Sequence, residues 1–137
     1  MKDHIYLRAY MAGVTVPTVL VVFVLAGFVV LRSGYNLTIP IERGLVFPLA
    51  IVPGLWGLWN MLYIAVRRHW RIPLGVHGAL VPLFVGPLAL CDAFLLGFDI
   101  PRLVLVVFPF GLTAAMLAYY LMWKYLVGFF NRMLEIG

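Results

Sequence analysis

The sequence predicts an all-α membrane protein of four transmembrane helices, arranged as two parallel repeats of a helical hairpin in one domain, 1–137. Three observations predict this fold: an apolar composition, four segments of spanning length, and an internal repeat. Hydrophobic residues make up 65% of the chain and charged residues 11%, against about 45–50% and about 25% in soluble domains. A globule of this size leaves much of its area facing water. It could not cover so much apolar surface, so lipid is the expected solvent.

Four apolar segments each come close to the ~20 residues that one bilayer crossing requires. The first begins as a signal peptide does, but its apolar core is too long and no small-residue cleavage site follows, so we expect a retained helix. We expect a polar connection with a turn at 32–43 and a short interfacial helix at 128–137. The predicted spans cover residues 9–31, 44–66, 72–91 (interrupted by Asp92) and 103–127.

The basic residues predict the orientation of these spans. With an even number of crossings, both termini and the central Arg-Arg-His-Trp-Arg run (67–71) share one side, which carries seven of the ten Lys and Arg residues. The positive-inside rule places that side in the cytoplasm, and we expect a bacterial plasma membrane. The net charge of +5 lies at span ends, where basic residues anchor helices to headgroups. Nucleic-acid binding is therefore not expected.

An internal repeat at an interval of 61 residues relates the two halves, 9–66 and 72–127. Ile39-Pro40 and Phe47-Pro48 recur as Ile100-Pro101 and Phe108-Pro109. Thr38 and Asp99 can cap the following helices, with the first proline in the first turn. The second proline then lies within each helix, where we expect a kink. Because each half crosses twice, the halves would be parallel. Two unrelated hairpins with ordinary proline punctuation are the alternative.

The same interval matches two stripes of small residues on the second and fourth spans. Lipid provides no hydrophobic drive for helix association, so helices commonly approach over small residues. We therefore expect the second and fourth spans to pack along these stripes. The stripes are Ala50, Gly54 and Gly57, and Gly111, Ala115 and Ala118.

Four intramembrane polar residues are the candidate functional residues. Asp92 interrupts the third span, and such a carboxylate is a functional suspect; pairing with Arg32, at the end of the first span, is the preferred interpretation. His77 and Asn60 lie within spans, and we expect each to hydrogen-bond a neighbouring helix. Asn60, among Trp56 and other aromatics, could alternatively line a cytoplasm-facing pocket.

The catalytic motifs that we sought, a nucleophile elbow, a phosphate loop and a His-Glu-x-x-His helix, do not occur in the sequence. We expect no enzyme activity, no cofactor and no metal. The preferred function is that of an accessory or assembly subunit packing against a larger membrane complex. The alternatives are a small oligomeric transporter or channel, and a lipid- or quinone-binding protein. Expected partners are the lipid bilayer, other membrane subunits and further copies of the chain.

Overall fold

A computed structural model describes residues 4–35, 50–95, 97 and 100–136, and all regular structure within those ranges is helical. We number the α-helices in chain order. They are α1 (Ile5–Tyr35), α2 (Val52–Val66), α3 (Leu74–Ala79), α4 (Val81–Leu95), α5 (Arg102–Met122), a π-helical turn (Trp123–Val127) and α6 (Gly128–Met133).

Among the described residues, three helical stretches are long and apolar enough to cross a membrane: Ile5–Tyr35, Leu74–Leu95 and Arg102–Met133. They contain 31, 22 and 32 residues, against the ~20 that a crossing needs. The described part of the second predicted span is the 15-residue α2, and residues 44–49 of that span lie outside the described residues. The predicted all-helical class is thus confirmed, with four helical stretches of which three have spanning length.

The first helix extends into the predicted polar connection as far as Tyr35. Ser33 lies within that connection, and its Oγ donates a hydrogen bond to the carbonyl oxygen of Val29 at 2.6 Å. A serine hydroxyl that bonds the carbonyl four residues back can sit within a helix. The prediction of a polar connection from Arg32 was therefore wrong over its first four residues.

The stretch Leu74–Leu95 is interrupted at Leu80, between α3 and α4. We attribute the interruption to Pro82. Proline has no N–H, and its ring clashes with the carbonyl four residues earlier, which here belongs to Gly78. The N–H of Leu80 instead bonds the carbonyl of His77 at 3.3 Å. Pro109 lies inside α5, which is helical throughout. Thr38, Pro40, Pro48 and Asp99 lie outside the described residues, and the duplication stays a prediction.

Within the described ranges, the buried residues all lie in one half of the bundle. We call this half, residues 9–17, 56–64, 75–82 and 123–136, the packed end, and the remaining parts of the long helices, residues 18–35, 83–95 and 102–122, the open end. The open end contains no buried residue. Two clusters form the core of the packed end, one around Trp56 and Trp123 and the other around Ala9, Ala12, Ile64 and Ile136.

Helices α1 and α2 cross at Gly13, and this contact corrects the predicted packing of the small-residue stripes. A Cβ on Gly13 would lie 2.5 Å from the carbonyl oxygen of Trp56, and a Cβ on Gly57 would lie 2.6 Å from the Tyr10 ring. Gly54 also faces Tyr10. The α2 glycines thus accommodate the preceding helix of the hairpin, not the fourth span.

The fourth-span stripe also has a different neighbour from the one predicted. Gly111 and Ala115 line a groove between α4 and α5, while Ala118 and Ala50 are exposed. The second and fourth spans do meet, but through aromatic rings. The ring centroids of Trp56 and Tyr119 are 4.9 Å apart, and rings of that size hold the two backbones away from small-residue contact.

The residues after α6 fold back onto the core. Ile136 is 1% exposed, and its N–H donates to the carbonyl oxygen of Asn131 at 2.9 Å. Arg67 donates from Nη1 to the carbonyl oxygen of Ile136 at 2.6 Å, and Arg8 donates to that of Leu134 at 3.0 Å. The predicted interfacial helix is thus partly right, since α6 is helical, but its inner face and Ile136 are buried.

Candidate functional site

A buried polar bridge joins three helices in the packed end. Asn60 of α2 has no exposed surface, and its Nδ2 donates to the carbonyl oxygen of Ala9 in α1 at 2.8 Å. The same nitrogen is 2.8 Å from Oδ1 of Asn131 in α6, whose Nδ2 returns a bond to Asn60 Oδ1 at 3.2 Å. Both amides are therefore used to hold helices together.

His77 forms a second reciprocal link, between α3 and α2. Its Nε2 lies 3.1 Å from the carbonyl oxygen of Trp59, and Trp59 Nε1 donates to the His77 carbonyl oxygen at 2.9 Å. The imidazole is 4% exposed and stacks on the Trp59 ring with centroids 5.0 Å apart. The interhelical hydrogen bonds expected for Asn60 and His77 are both present, and a functional role for either residue stays a prediction.

Asp92 and Arg32 lie in the open end, far along the chain from this polar bridge. Asp92 is half-buried near the end of α4, and Arg32 is exposed in the last turn of α1. The four candidate residues are therefore not gathered into one site. The pairing of Asp92 with Arg32 stays a prediction.

A cavity of about 380 Å³ opens beside the polar bridge, between the end of α2, the start of α3 and the continuation of α5 into α6. Three basic side chains line it: Arg67 of α2, Lys124 of the π-helical turn and Arg132 of α6. We call it the basic cavity. The phenol-bearing residues Tyr63 and Tyr120 also line it. The described lining residues thus include three basic side chains and no acidic one.

The remaining wall of the basic cavity is apolar or backbone. Pro73, Leu74 and Gly75 line it on the α3 side, and Gly128 and Asn131 on the α6 side. Gly75 packs closely on Tyr120, since a Cβ there would lie 2.9 Å from that ring. The site thus combines an apolar wall with hydrogen-bond donors, which is the usual make-up of a small-ligand pocket.

The stretch Arg102–Met133, which contains the π-helical turn, has two distinct faces near its end. Trp123, Val127 and Asn131 are spaced by four residues and are buried, while Tyr120, Lys124, Gly128 and Arg132, also spaced by four, line the basic cavity. Single π turns are frequent at functional sites. One face therefore closes the core while the adjacent face presents its cations to the cavity.

In the sequence, Lys124 and Arg132 are two of the basic residues near span ends, and neither Asn131 nor Tyr120 was predicted to belong to a site. The four-residue spacing from Tyr120 to Arg132 was the available signal. That spacing is also typical of any helix face. It becomes informative only once the structure places Arg67 and Tyr63 opposite that face.

The side chains around the basic cavity are suited to binding a ligand. Within the described ranges, no three His, Cys, Asp or Glu side chains come close enough to hold a metal ion. Cys91 is exposed and has no disulfide. Arg and Lys donors beside phenols are suited to holding an anion.

The chain matches no protein-family model, no curated protein and no solved structure.

Proposed function

We propose that this chain is a non-enzymatic integral membrane subunit that packs against a larger membrane protein through its open end. The observation that carries the proposal is the contrast between the two ends. The packed end uses its buried amides and imidazole in internal hydrogen bonds, whereas helix α5 has no buried residue along its 21 residues.

A groove in the open end supports binding of a partner helix. The groove, about 310 Å³ in volume, runs between α4 and α5 and includes Gly86, Gly111 and Ala115. A Cβ on Gly111 would meet no atom within 4 Å, so the groove floor is open. In lipid, helices associate where small residues let backbones approach, and this groove offers that geometry to another subunit.

The alternative of a transporter receives less support from the same residues. A polar path would need unsatisfied polar groups facing a continuous opening. Asn60 and His77 are 0% and 4% exposed and are engaged with neighbouring helices. These hydrogen bonds between helices fit a subunit whose polar residues serve packing.

The proposed location is a bacterial plasma membrane, with both termini in the cytoplasm and the packed end on the cytoplasmic side of the bundle. Reporter fusions at Arg68, Tyr35 and Gly97 test this orientation. We expect a cytoplasmic signal at Arg68 and the opposite signal at Tyr35 and Gly97. A cytoplasmic signal at Gly97 would contradict the proposed topology.

Site-specific photocrosslinking tests the partner surface. A benzophenone amino acid in place of Phe108, which lines the groove, should label one discrete membrane protein in cells, and Gly111→Trp should abolish that adduct by filling the groove. The matched control is Gly27→Trp, because Gly27 of α1 likewise has no atom within 4 Å of its Cβ position.

Each other outcome of this experiment counts against the proposal. Adducts with lipid alone would mean that the groove faces the bilayer. An adduct of twice the chain mass would indicate self-association. Purified chain that conducts solute across vesicles would favour the transporter.

A further inference from the structure

We infer that the basic cavity is a binding site for a phosphate group, supplied either by an anionic phospholipid headgroup or by a free phosphate compound. This inference is independent of the partner-binding proposal, because the basic cavity and the groove have no lining residue in common.

The positive charges of the basic cavity come from separate elements, and contacts within the fold position two of them, Arg67 and Lys124. Arg67 is fixed by its 2.6 Å bond to the carbonyl oxygen of Ile136, which occupies one of the five N–H donors of a guanidinium. Lys124 Nζ lies 5.7 Å from the Tyr120 ring centroid and 5.2 Å from that of Tyr125. Cation–π contacts at such distances favour this position.

Bringing like charges together costs free energy unless an anion compensates them. The described residues that line the basic cavity include Arg67, Lys124 and Arg132 but neither Asp nor Glu. A phosphate oxygen accepts charge-assisted hydrogen bonds from Arg and Lys, which are stronger than neutral ones. Arg in particular binds phosphate through two parallel bonds. A phosphate is therefore the ligand whose charge and acceptors match these donors.

The size and walls of the basic cavity suit a headgroup. Its volume of about 380 Å³ lies at the lower end of the roughly 300–1,000 Å³ range of small-ligand sites. Tyr63 and Tyr120 add hydroxyl groups, and Leu74 and Pro73 give an apolar wall. A phosphorylated glycerol would meet donors on one side, and an attached acyl chain could leave along the apolar wall.

The depth of the basic cavity also fits a headgroup. The apolar part of the last stretch starts at Leu103, and a crossing uses ~20 residues, which brings the chain to Met122. Lys124 follows two residues later and Arg132 ten residues later. Under the proposed orientation they lie at the cytoplasmic surface, where anionic lipids attract basic residues.

The test measures binding to the full chain in a neutral detergent by the shift in its thermal unfolding. The probes are short-chain phosphatidylglycerol, short-chain phosphatidylcholine and inorganic phosphate. We expect phosphatidylglycerol to raise the unfolding temperature in a saturable manner. Lys124→Gln and Arg132→Gln should each weaken its affinity roughly tenfold or more, as removal of a charge-assisted bond implies.

The matched controls are Arg68→Gln and Arg71→Gln, which remove the same charge from exposed positions outside the basic cavity. These should keep the affinity within about twofold, since surface charges contribute little. Arg67 is left intact because its bond to Ile136 supports the fold. Arg132→Lys should recover part of the lost affinity, which a change in folding alone would not.

The probes distinguish the two sources. Saturable stabilisation by phosphatidylglycerol, with inorganic phosphate much weaker, identifies a lipid site. Equal stabilisation by inorganic phosphate identifies a free phosphate compound as the ligand. Equal losses in the cavity and control variants would reveal a non-specific surface charge effect and overturn the inference. So would the absence of saturable binding by any probe, or equal binding of phosphatidylcholine.

Discussion

Gly13→Ala tests how closely the backbones of α1 and α2 must approach. The added Cβ would lie 2.5 Å from the carbonyl oxygen of Trp56 and 2.9 Å from Cα of Gly57. Ordinary van der Waals contact begins at 3.4 Å, so the closest approach falls short by about 0.9 Å. Both opposing atoms belong to the α2 backbone. Relief therefore requires the two helices to move apart, because no side chain can rotate away.

The cost of this movement can be estimated from the structure. Overpacking a close contact costs about 1–3 kcal/mol. A separation of about 0.9 Å would also lengthen the 2.8 Å bond from Asn60 to the Ala9 carbonyl beyond hydrogen-bonding range. An interhelical hydrogen bond in a membrane contributes about 0.6 kcal/mol on average. We therefore expect the lost contact to cost Gly13→Ala about 2–4 kcal/mol in the free energy of unfolding, before the gain in helix propensity that any Gly→Ala change brings.

Reversible unfolding in mixed micelles, followed by circular dichroism, measures this loss. Gly27→Ala is the control: it lies in the same helix, meets no atom within 4 Å and shares the gain in helix propensity of Gly→Ala. The difference between the two variants isolates the contact. If Gly13→Ala proved as stable as Gly27→Ala, the inferred crossing of α1 and α2 would be wrong.

Three further predictions concern polar bonds and close packing. Asn60→Leu should cost about 1–3 kcal/mol in the same unfolding assay, because it leaves the Asn131 amide buried without its partner. The double variant Asn60→Leu with Asn131→Leu should lose less stability than the two single variants together. Additive losses would contradict the bridge. Gly78→Ala should lower the free energy of unfolding by about 1–3 kcal/mol or more relative to Gly27→Ala, since its Cβ would overlap the buried Trp123 indole. Equal stability of the two variants would exclude that contact. Asp92→Asn and Arg32→Gln should show the same non-additivity if the two pair, whereas independent effects would argue against pairing.

The helical segments could be predicted from the sequence because length and lack of charge suffice to specify them. The boundaries were less predictable. Ser33 suggested a turn by its type, but its hydroxyl found the Val29 carbonyl and the helix continued. Pro82 was a signal for the break at Leu80. Proline interrupts a helix only when helical residues precede it, so the signal depended on the presence of α3.

Helix partners could not be predicted from the positions of small residues alone. A glycine shows that a close approach is possible without showing which backbone approaches. Gly57 accommodates Tyr10 of the preceding helix, whereas the sequence predicted a contact with the fourth span. The decisive factor was the bulk of Trp56 and Tyr119, which meet as rings.

The basic cavity could not be found by pattern because its parts are far apart in the sequence. Arg67 and Arg132 each resemble an ordinary interfacial anchor. Only the return of the chain after α6, fixed by Arg67 on the Ile136 carbonyl, places them around one space. Asn131 gave no sequence signal either, since an asparagine in a polar tail is expected to face water.

The partners of the buried Asn60 bridge are also separated in time during synthesis. Asn60 and Asn131 are 71 residues apart, which at about 5–20 residues per second is a delay of roughly 4–14 s. Throughout that interval the Asn60 amide can bond the Ala9 carbonyl of its own hairpin but lacks its partner in α6. The packing of the first two helices is therefore complete only once α6 has been made. A chain stalled before α6 would leave Asn60 Oδ1 without its bond from Asn131, a defect that cellular quality control could recognise.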